Sequence, residues 1–259
     1  MKEFLIRTAS AIMLIALVVG ITLLPDMPFF IAFVLILSPA AWEMGNLIGG
    51  RAGFKMLAVL NFLVLLFSLK FQVFFFGILL VIFMTGFVSL LFTGRENVPG
   101  FLKDVSTALL PAVILAPTLF HIYLIWSLGK WFFYLIIFII SIGDTAAYLI
   151  GTAFGKHKIY PAASPNKSWE GFIAALFAGA LAALPGAYLK IATPILPVIG
   201  FLTCLFAQIS DPFESLFKRA AGVKDSSSII PGHGGVLDRI DSYIFAAPIY
   251  YYLLLWLAK

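Results

Sequence analysis

The sequence predicts an all-α polytopic membrane protein with about nine transmembrane helices, its N-terminus in the cytoplasm and its C-terminus outside. Three observations predict it. The 259-residue chain is 62% hydrophobic, with a mean hydropathy of +1.07. Only 11% of its residues are charged, against about 25% in a soluble domain. Its apolar runs are long and continuous, as bilayer-spanning helices require, whereas a membrane β-barrel alternates apolar and polar residues over short segments.

A hydrocarbon core of ~30 Å takes about 20 helical residues. The runs fall at about 8–24, 28–49, 54–69, 71–93, 104–127, 130–153, 168–189, 193–217 and 237–257. Lys2 and Arg7 precede the first, in the manner of a signal peptide, but no small-x-small cleavage site follows, so a retained helix is expected. "LPDMP" divides it from the second span, which carries Glu43. The third is short, so a tilted or partly re-entrant segment is expected. "TGRENVPG" separates the fourth and fifth. The sixth places Gly143, Ala147, Gly151 and Gly155 at four-residue intervals, a close helix-packing strip, with Asp144 and Tyr148 on a neighbouring face. "SPNKSWEG" opens the seventh, with Ser168 or Asn166 near its N-cap. "KIATPILP" separates it from the eighth, where Pro212 lacks an N–H and is expected to kink or interrupt the helix beside Asp211. The ninth starts at Asp238 and Asp241. Cys204 lies in an apolar run and reads as a packing residue, which leaves no intramolecular disulfide and no thiolate zinc site. No internal repeat or linker is visible. The chain reads as one membrane domain, 1–259, with 1–127 mainly scaffold and 130–259 carrying the chemistry.

Orientation follows from Lys and Arg. With the N-terminus inside, Lys2, Arg7, Arg51, Lys55, Arg95, Lys103, Lys156, Lys158, Lys167, Lys218, Arg219, Lys224 and Arg239 face the cytoplasm. Lys70, Lys130, Lys190 and Lys259 face out, a 13:4 division of the 17 basic residues. The net charge of +5 then records topology and attraction to anionic lipid, and does not suggest nucleic acid. Both long polar loops, 154–168 and 218–236, fall on the cytoplasmic side.

An ionisable group inside a span costs at least ~2.5 kcal/mol. Glu43, Asp144, Asp211, Glu214 and Asp241 accept that cost, with Asp238 at the mouth of the last span, and all lie toward cytoplasmic ends. Asp238 and Asp241 are spaced i,i+3; Asp211, Glu214, Ser215 and Lys218 share one face. Oxygen donors without thiolates suit a hard cation such as Mg2+, held by one or two carboxylates plus phosphate oxygens and water. The competing reading is buried ion pairing with Lys218, Arg219 and Arg239. The bases Lys167, Lys218, Arg219, Lys224 and Arg239, with the hydroxyls of Ser164 and Ser168, match phosphate oxygens. Glycines of "PGHGG", among them Gly234 and Gly235, let backbone approach a phosphate. His233 reads as a phosphate contact ahead of a general base. Asp144 reads as a ligand of a second cation or of nucleotide, or as a packing residue. His157 reads as a loop residue and His121 as a buried or interfacial one.

Residues 215–241, "SLFKRAAGVKDSSSIIPGHGGVLDRID", resemble the signature of the CDP-diacylglycerol synthase (phosphatidate cytidylyltransferase) family. Ser215, Lys218, Arg219, Lys224, Asp225, Ser227, Pro231, His233, Gly234, Gly235, Asp238, Arg239 and Asp241 stand at its fixed spacing. "GDTAAYLIG" and "SPNKSWEG" are also similar to the family. "SDPF" at 210–213 departs from the Gly-Asp followed by a non-proline found there. The resemblance implies a nucleotidyltransferase that converts CTP and phosphatidate to CDP-diacylglycerol and pyrophosphate at the inner (plasma) membrane. It implies Mg2+ served by Asp211, Asp238 and Asp241, a monovalent cation such as K+ beside it, and a homodimer. Two other readings compete: a CTP-dependent polyprenol or phytol kinase, and a cation-coupled secondary transporter using Asp144 and Asp211.

The charge division and the signature together predict that Lys218, Arg219 and Lys224 react with a membrane-impermeant reagent from the cytoplasmic side, and that CTP protects at least one. Labelling from the outer face alone would overturn this topology.

Overall fold

The computed structural model describes residues 2–191 and 193–257. The side chains of residues 2–5, 95–97 and 257 are also outside the description. The sided placements of Lys2, Arg95 and Lys259 therefore lie outside the described residues.

The elements in chain order are α1 (Lys2–Thr22), α2 (Asp26–Ile48), α3 (Ala52–Lys70), α4 (Phe74–Phe92), α5 (Phe101–Leu128), α6 (Lys130–Phe154), β1 (Lys158–Tyr160), β2 (Ser164–Ser168), α7 (Trp169–Ala182), α8 (Leu196–Ala220), α9 (Leu237–Ile240) and α10 (Tyr243–Leu257). Seven stretches among the described residues are helical, long and apolar enough to cross a membrane: Asp26–Ile48, Ala52–Lys70, Phe74–Phe92, Val98–Leu128, Lys130–Phe154, Trp169–Leu189 and Thr193–Ala220. The chain is a multi-pass, all-helical membrane protein. Each expected span corresponds to helix. A small antiparallel hairpin, β1 with β2, and an isolated bridge between Ile230 and Gly234 stand among the helices.

Three local expectations need correction. The third span is an unbroken helix of 19 residues, Ala52–Lys70, and needs no re-entrant turn. Pro212 lies inside α8, which runs on through it for 25 residues, so the proline does not interrupt the helix. The ninth span is broken: α9 stops at Ile240, and a turn at Asp241–Ser242 precedes α10. Asp and Ser side chains compete locally for backbone donors, and here Asp241 Oδ1 takes the Ser242 N–H at 2.7 Å. Asp238 and Asp241 therefore do not share a face of one continuous helix.

The chain forms two compact units: Met1–Phe120 with Ala220–Ile240, and His121–Arg219 with Asp241–Lys259. In the first, Phe29, Phe30, Phe54, Phe62 and Leu66 are fully buried. Polar ties join its helices where lipid offers no partner. Asn61 Nδ2 donates to Thr85 Oγ1 and to the Ala108 carbonyl, each at 3.0 Å. The Arg51 backbone N–H and Nε donate to the two oxygens of Asp104 at 2.9 and 2.7 Å.

In the second unit, lipid-like side chains give little drive for helix association, so close approach matters. The small-residue strip of α6 provides it. A Cβ on Gly171 of α7 would sit 2.6 Å from the Ala147 carbonyl oxygen, and one on Gly143 would sit 2.5 Å from Cys204 Sγ. Cys204 is buried and donates to the Ile139 carbonyl at 3.5 Å, as a packing residue does. A Cβ on Gly200 of α8 would overlap the Gly179 carbonyl of α7. Backbone cannot rotate away as a side chain can. Gly200→Ala is therefore expected to lower stability by about 1–3 kcal/mol, read as a lower unfolding temperature in detergent. Gly86→Ala, with open space around it, should leave that temperature unchanged or raise it slightly.

Candidate functional site

In the second unit the polar residues of α8 are organised from one end of the Lys167 side chain. Lys167 Nζ pairs with Asp211 Oδ2 at 2.8 Å and donates to Gln208 Oε1 at 3.4 Å. Gln208 Nε2 donates in turn to Asp144 Oδ1 at 2.6 Å. A continuous polar line thus runs Asp144–Gln208–Lys167–Asp211. Ser215 donates to Asp211 Oδ1 at 3.3 Å, one turn along α8. Lys167 and Asp211 are 22% and 31% exposed, so both remain open to a ligand. A lysine ammonium has three N–H bonds, and two are engaged here, which leaves one for an added oxygen.

The β1–β2 hairpin holds Lys167 in place. Lys158 stands opposite Ser168, and Tyr160 opposite Ser164. Ser168 caps α7, its hydroxyl accepting from the Gly171 N–H at 3.3 Å. Beside it, His157 Nδ1 meets Glu170 Oε1 at 2.7 Å. Burial pushes the Tyr160 phenol up from its usual pKa, which keeps its O–H a donor. Ser164 is half-buried and Asn166 exposed. An apolar cavity of about 290 Å³ lies against this hairpin and α8, lined by residues including Tyr160, Pro161, Ala163, Pro212 and Phe213.

Further along α8, Glu214 and Lys218 form a buried i,i+4 pair at 2.5 Å. Lys218 is 6% exposed. This corrects the expectation that it is available to a reagent; Arg219 and Lys224 remain exposed. Arg219 Nε donates to the Ala163 carbonyl at 3.3 Å. The Ser210 hydroxyl donates to the Asp241 carbonyl and accepts from the Phe245 N–H, which ties α8 to the start of α10. The Asp241 carboxyl lies in the field of Asp211, Glu214 and Lys218.

In the first unit the 220–238 segment closes around two carboxylates. Asp238 Oδ2 accepts from the Ser226 N–H at 2.8 Å, the Ser226 hydroxyl at 2.9 Å and the Gly235 N–H at 2.8 Å. Glu43, fully buried on α2, accepts from Ser227, Val236 and Leu237 and shares the Ser226 hydroxyl with Asp238. Gly234 has φ +83°, a conformation few side chains tolerate, and a Cβ on Gly235 would stand 2.6 Å from Glu43 Oε1. The Gly235 N–H is committed to Asp238, so it is not offered to a phosphate as the sequence suggested. The tip of the loop lies on α1, where Ser10 Oγ donates to the Pro231 carbonyl at 2.8 Å. His233 Nδ1 is buried without a hydrogen-bond partner among the described residues. Asp225 and Arg239 are exposed.

Among the described residues no group of three or more His, Cys, Asp and Glu side chains could hold a metal ion. Mg2+ needs only one or two carboxylates when phosphate oxygens and water complete its shell. Asp211 and Asp241 are hard oxygen donors, and the Asp241 carboxyl lies in the field of Asp211, which fits that requirement.

The pattern of the cytidylyltransferase family matches residues 5–257. The chain belongs to the cytidylyltransferase family. It is 46% identical over 120 residues to a phosphatidate cytidylyltransferase of Staphylococcus aureus (strain COL), covering 45% of this chain and 46% of that one. It is 34% identical over 172 residues to the phosphatidate cytidylyltransferase of Staphylococcus saprophyticus, covering 65% and 66%. Its match to that of Staphylococcus haemolyticus is 33% over the same length, again 65% and 66%. The chain thus spans about half to two thirds of the length of the curated relatives it matches.

Several positions in this family member escape a reading by spacing alone. Gln208 precedes Asp211 by three residues, on the same helix face, and a lone amide in an apolar run was its available signal. Ser226 is a short polar residue among three serines, and nothing in the sequence marks it as the one that links two carboxylates.

Lys167→Ala is expected to leave insertion intact while lowering kcat or raising KM in a cytidylyl-transfer assay. Lys156→Ala, in the same loop but outside the polar line, should change little. Equal small effects for the two would reduce Lys167 to a topological charge.

Proposed function

We propose that this chain transfers the cytidylyl group of CTP to phosphatidate, giving CDP-diacylglycerol and pyrophosphate, at the cytoplasmic face of the plasma membrane in phospholipid biosynthesis. The observation that carries the reading is the 27-residue signature at 215–241, inside a family match that covers nearly the whole chain. The relatives' names support the choice of reaction.

The two substrates come from different phases: CTP is a soluble polyanion, and phosphatidate is anchored with its phosphate at the headgroup level. A phosphatidate oxygen attacks the CTP α-phosphorus, and the bond to the pyrophosphate oxygen breaks. Mg2+, when bound, neutralises charge on the phosphates and on the departing pyrophosphate. The family resemblance implies that Asp211, Asp238 and Asp241 would hold that cation, with K+ as a monovalent companion. Lys167, with one N–H unengaged, serves a phosphate oxygen, as do the exposed Arg219, Lys224 and Arg239. Ser164, Asn166, Ser168, Asp225 and Asp144 belong to the nucleotide-binding set. His233, with its unpartnered buried nitrogen, orients or contacts phosphate. The apolar cavity beside the hairpin suits an acyl chain. The working form is a homodimer.

Purified protein with CTP, phosphatidate and Mg2+ should release pyrophosphate and form CDP-diacylglycerol in detergent, without any ion gradient. Release of CDP instead would identify a lipid kinase, and no turnover without a gradient would favour a transporter. Asp211→Asn should lower turnover by at least ~10²-fold, since a positioned metal contributes several kcal/mol. Asp238→Asn should do as much, but because Asp238 also closes its loop, Asp211→Asn is the cleaner test of the metal.

A further inference from the structure

Glu43 stands far from the signature in sequence, on a helix otherwise composed as scaffold, yet its carboxylate is fully buried. Oε1 accepts from the Ser227 hydroxyl at 2.6 Å and the Val236 N–H at 3.1 Å. Oε2 accepts from the Ser226 hydroxyl at 3.2 Å and the Leu237 N–H at 2.7 Å. Every partner belongs to the 226–237 segment. Each oxygen therefore faces one backbone N–H, which can only donate, and one hydroxyl, which can donate or accept.

We propose that Glu43 is a positioning residue for cytidylyl transfer: its carboxylate holds the signature loop closed and thereby aims Asp238. The link to Asp238 is direct. The Ser226 hydroxyl lies within reach of both Glu43 Oε2 and Asp238 Oδ2. Gly235, which donates its N–H to Asp238, sits so near Glu43 that a Cβ would collide with the carboxylate. Removing the Glu43 acceptors leaves the Val236 and Leu237 amides at the start of α9 without partners, and Asp238 is the second residue of that helix. An unpaired buried donor is costly enough that the segment rearranges instead of tolerating it. The proposal rests on the cytidylyltransferase reading for its catalytic part alone; the clamp itself is a matter of geometry.

Glu43→Gln tests it, because the amide keeps the size of the side chain. Whichever way the amide is turned, its NH2 faces a backbone N–H, of Val236 or of Leu237, and one acceptor is lost. The full-length protein in detergent should show faster amide hydrogen exchange across 226–238, with exchange in α3 and α4 unchanged. kcat should fall at least ~10-fold, the effect of one buried donor left unpaired, with KM for CTP changed far less. Glu43→Asp, which keeps both acceptor oxygens, should recover part of kcat. Ser227→Ala, which removes one donor to Glu43, should give a smaller change of the same kind and serves if Glu43→Gln does not fold. Unchanged exchange in 226–238 overturns the clamp. Faster local exchange with wild-type kcat overturns the positioning role. Exchange that rises throughout the chain, with activity lost only in proportion to folded protein, makes Glu43 merely structural and also overturns it. If the wild-type protein shows no cytidylyl transfer, the functional reading fails, and the exchange comparison still decides the clamp.

Discussion

A carboxylate or an amide placed at membrane depth has to find its partner within the protein, because lipid provides none. Much of the polar architecture follows from that constraint. Glu43 and Asp238 Oδ2 are surrounded by six donors between them, the single Ser226 hydroxyl lying within reach of both. Glu214 is matched by Lys218 within one turn of helix. Asp104 is held by both the backbone and the side chain of Arg51. Lys167 and Asp211 are paired with each other yet keep part of their surface exposed, as do the charged residues Lys224, Asp225 and Arg239 of the signature.

The same constraint separates two uses of glycine. In the second unit, Gly171, Gly179 and Gly200 remove side chains so that helix backbones can approach, since van der Waals packing replaces a hydrophobic drive between helices in lipid. In the signature loop, glycine serves a carboxylate. Gly234 supplies a turn conformation and Gly235 makes room for Glu43, so that amides reach oxygens which would otherwise be stranded.

The helical architecture was largely legible in the sequence because apolar runs, punctuation and the α6 glycine strip are local signals. The hairpin at 158–168 was not: its strands are three and five residues long, and Pro161 and Pro165 read as loop. The turn at Asp241–Ser242 falls at the polar start of an expected span, where short polar side chains decide the break. At the candidate site, residue types were legible and their pairings were not. Lys167 was expected to await an anion and also meets Asp211, from a different element. Gly235 was expected to offer its amide to phosphate and gives it to Asp238. Glu43 stood out as an acid in a span, but its partners lie 183 to 194 residues away, beyond any argument from spacing.

That separation has a consequence for how the protein is made. Glu43 leaves the ribosome some 183 residues before Ser226, the first of its partners. At about 5–20 residues per second, α2 waits roughly 10–40 s for the segment that will satisfy its carboxylate. During that interval the acid stays hydrated near the membrane surface, is shielded by the insertion machinery, or is neutralised by a proton. Biogenesis of this unit therefore ends only when its last-made segment returns to its second helix.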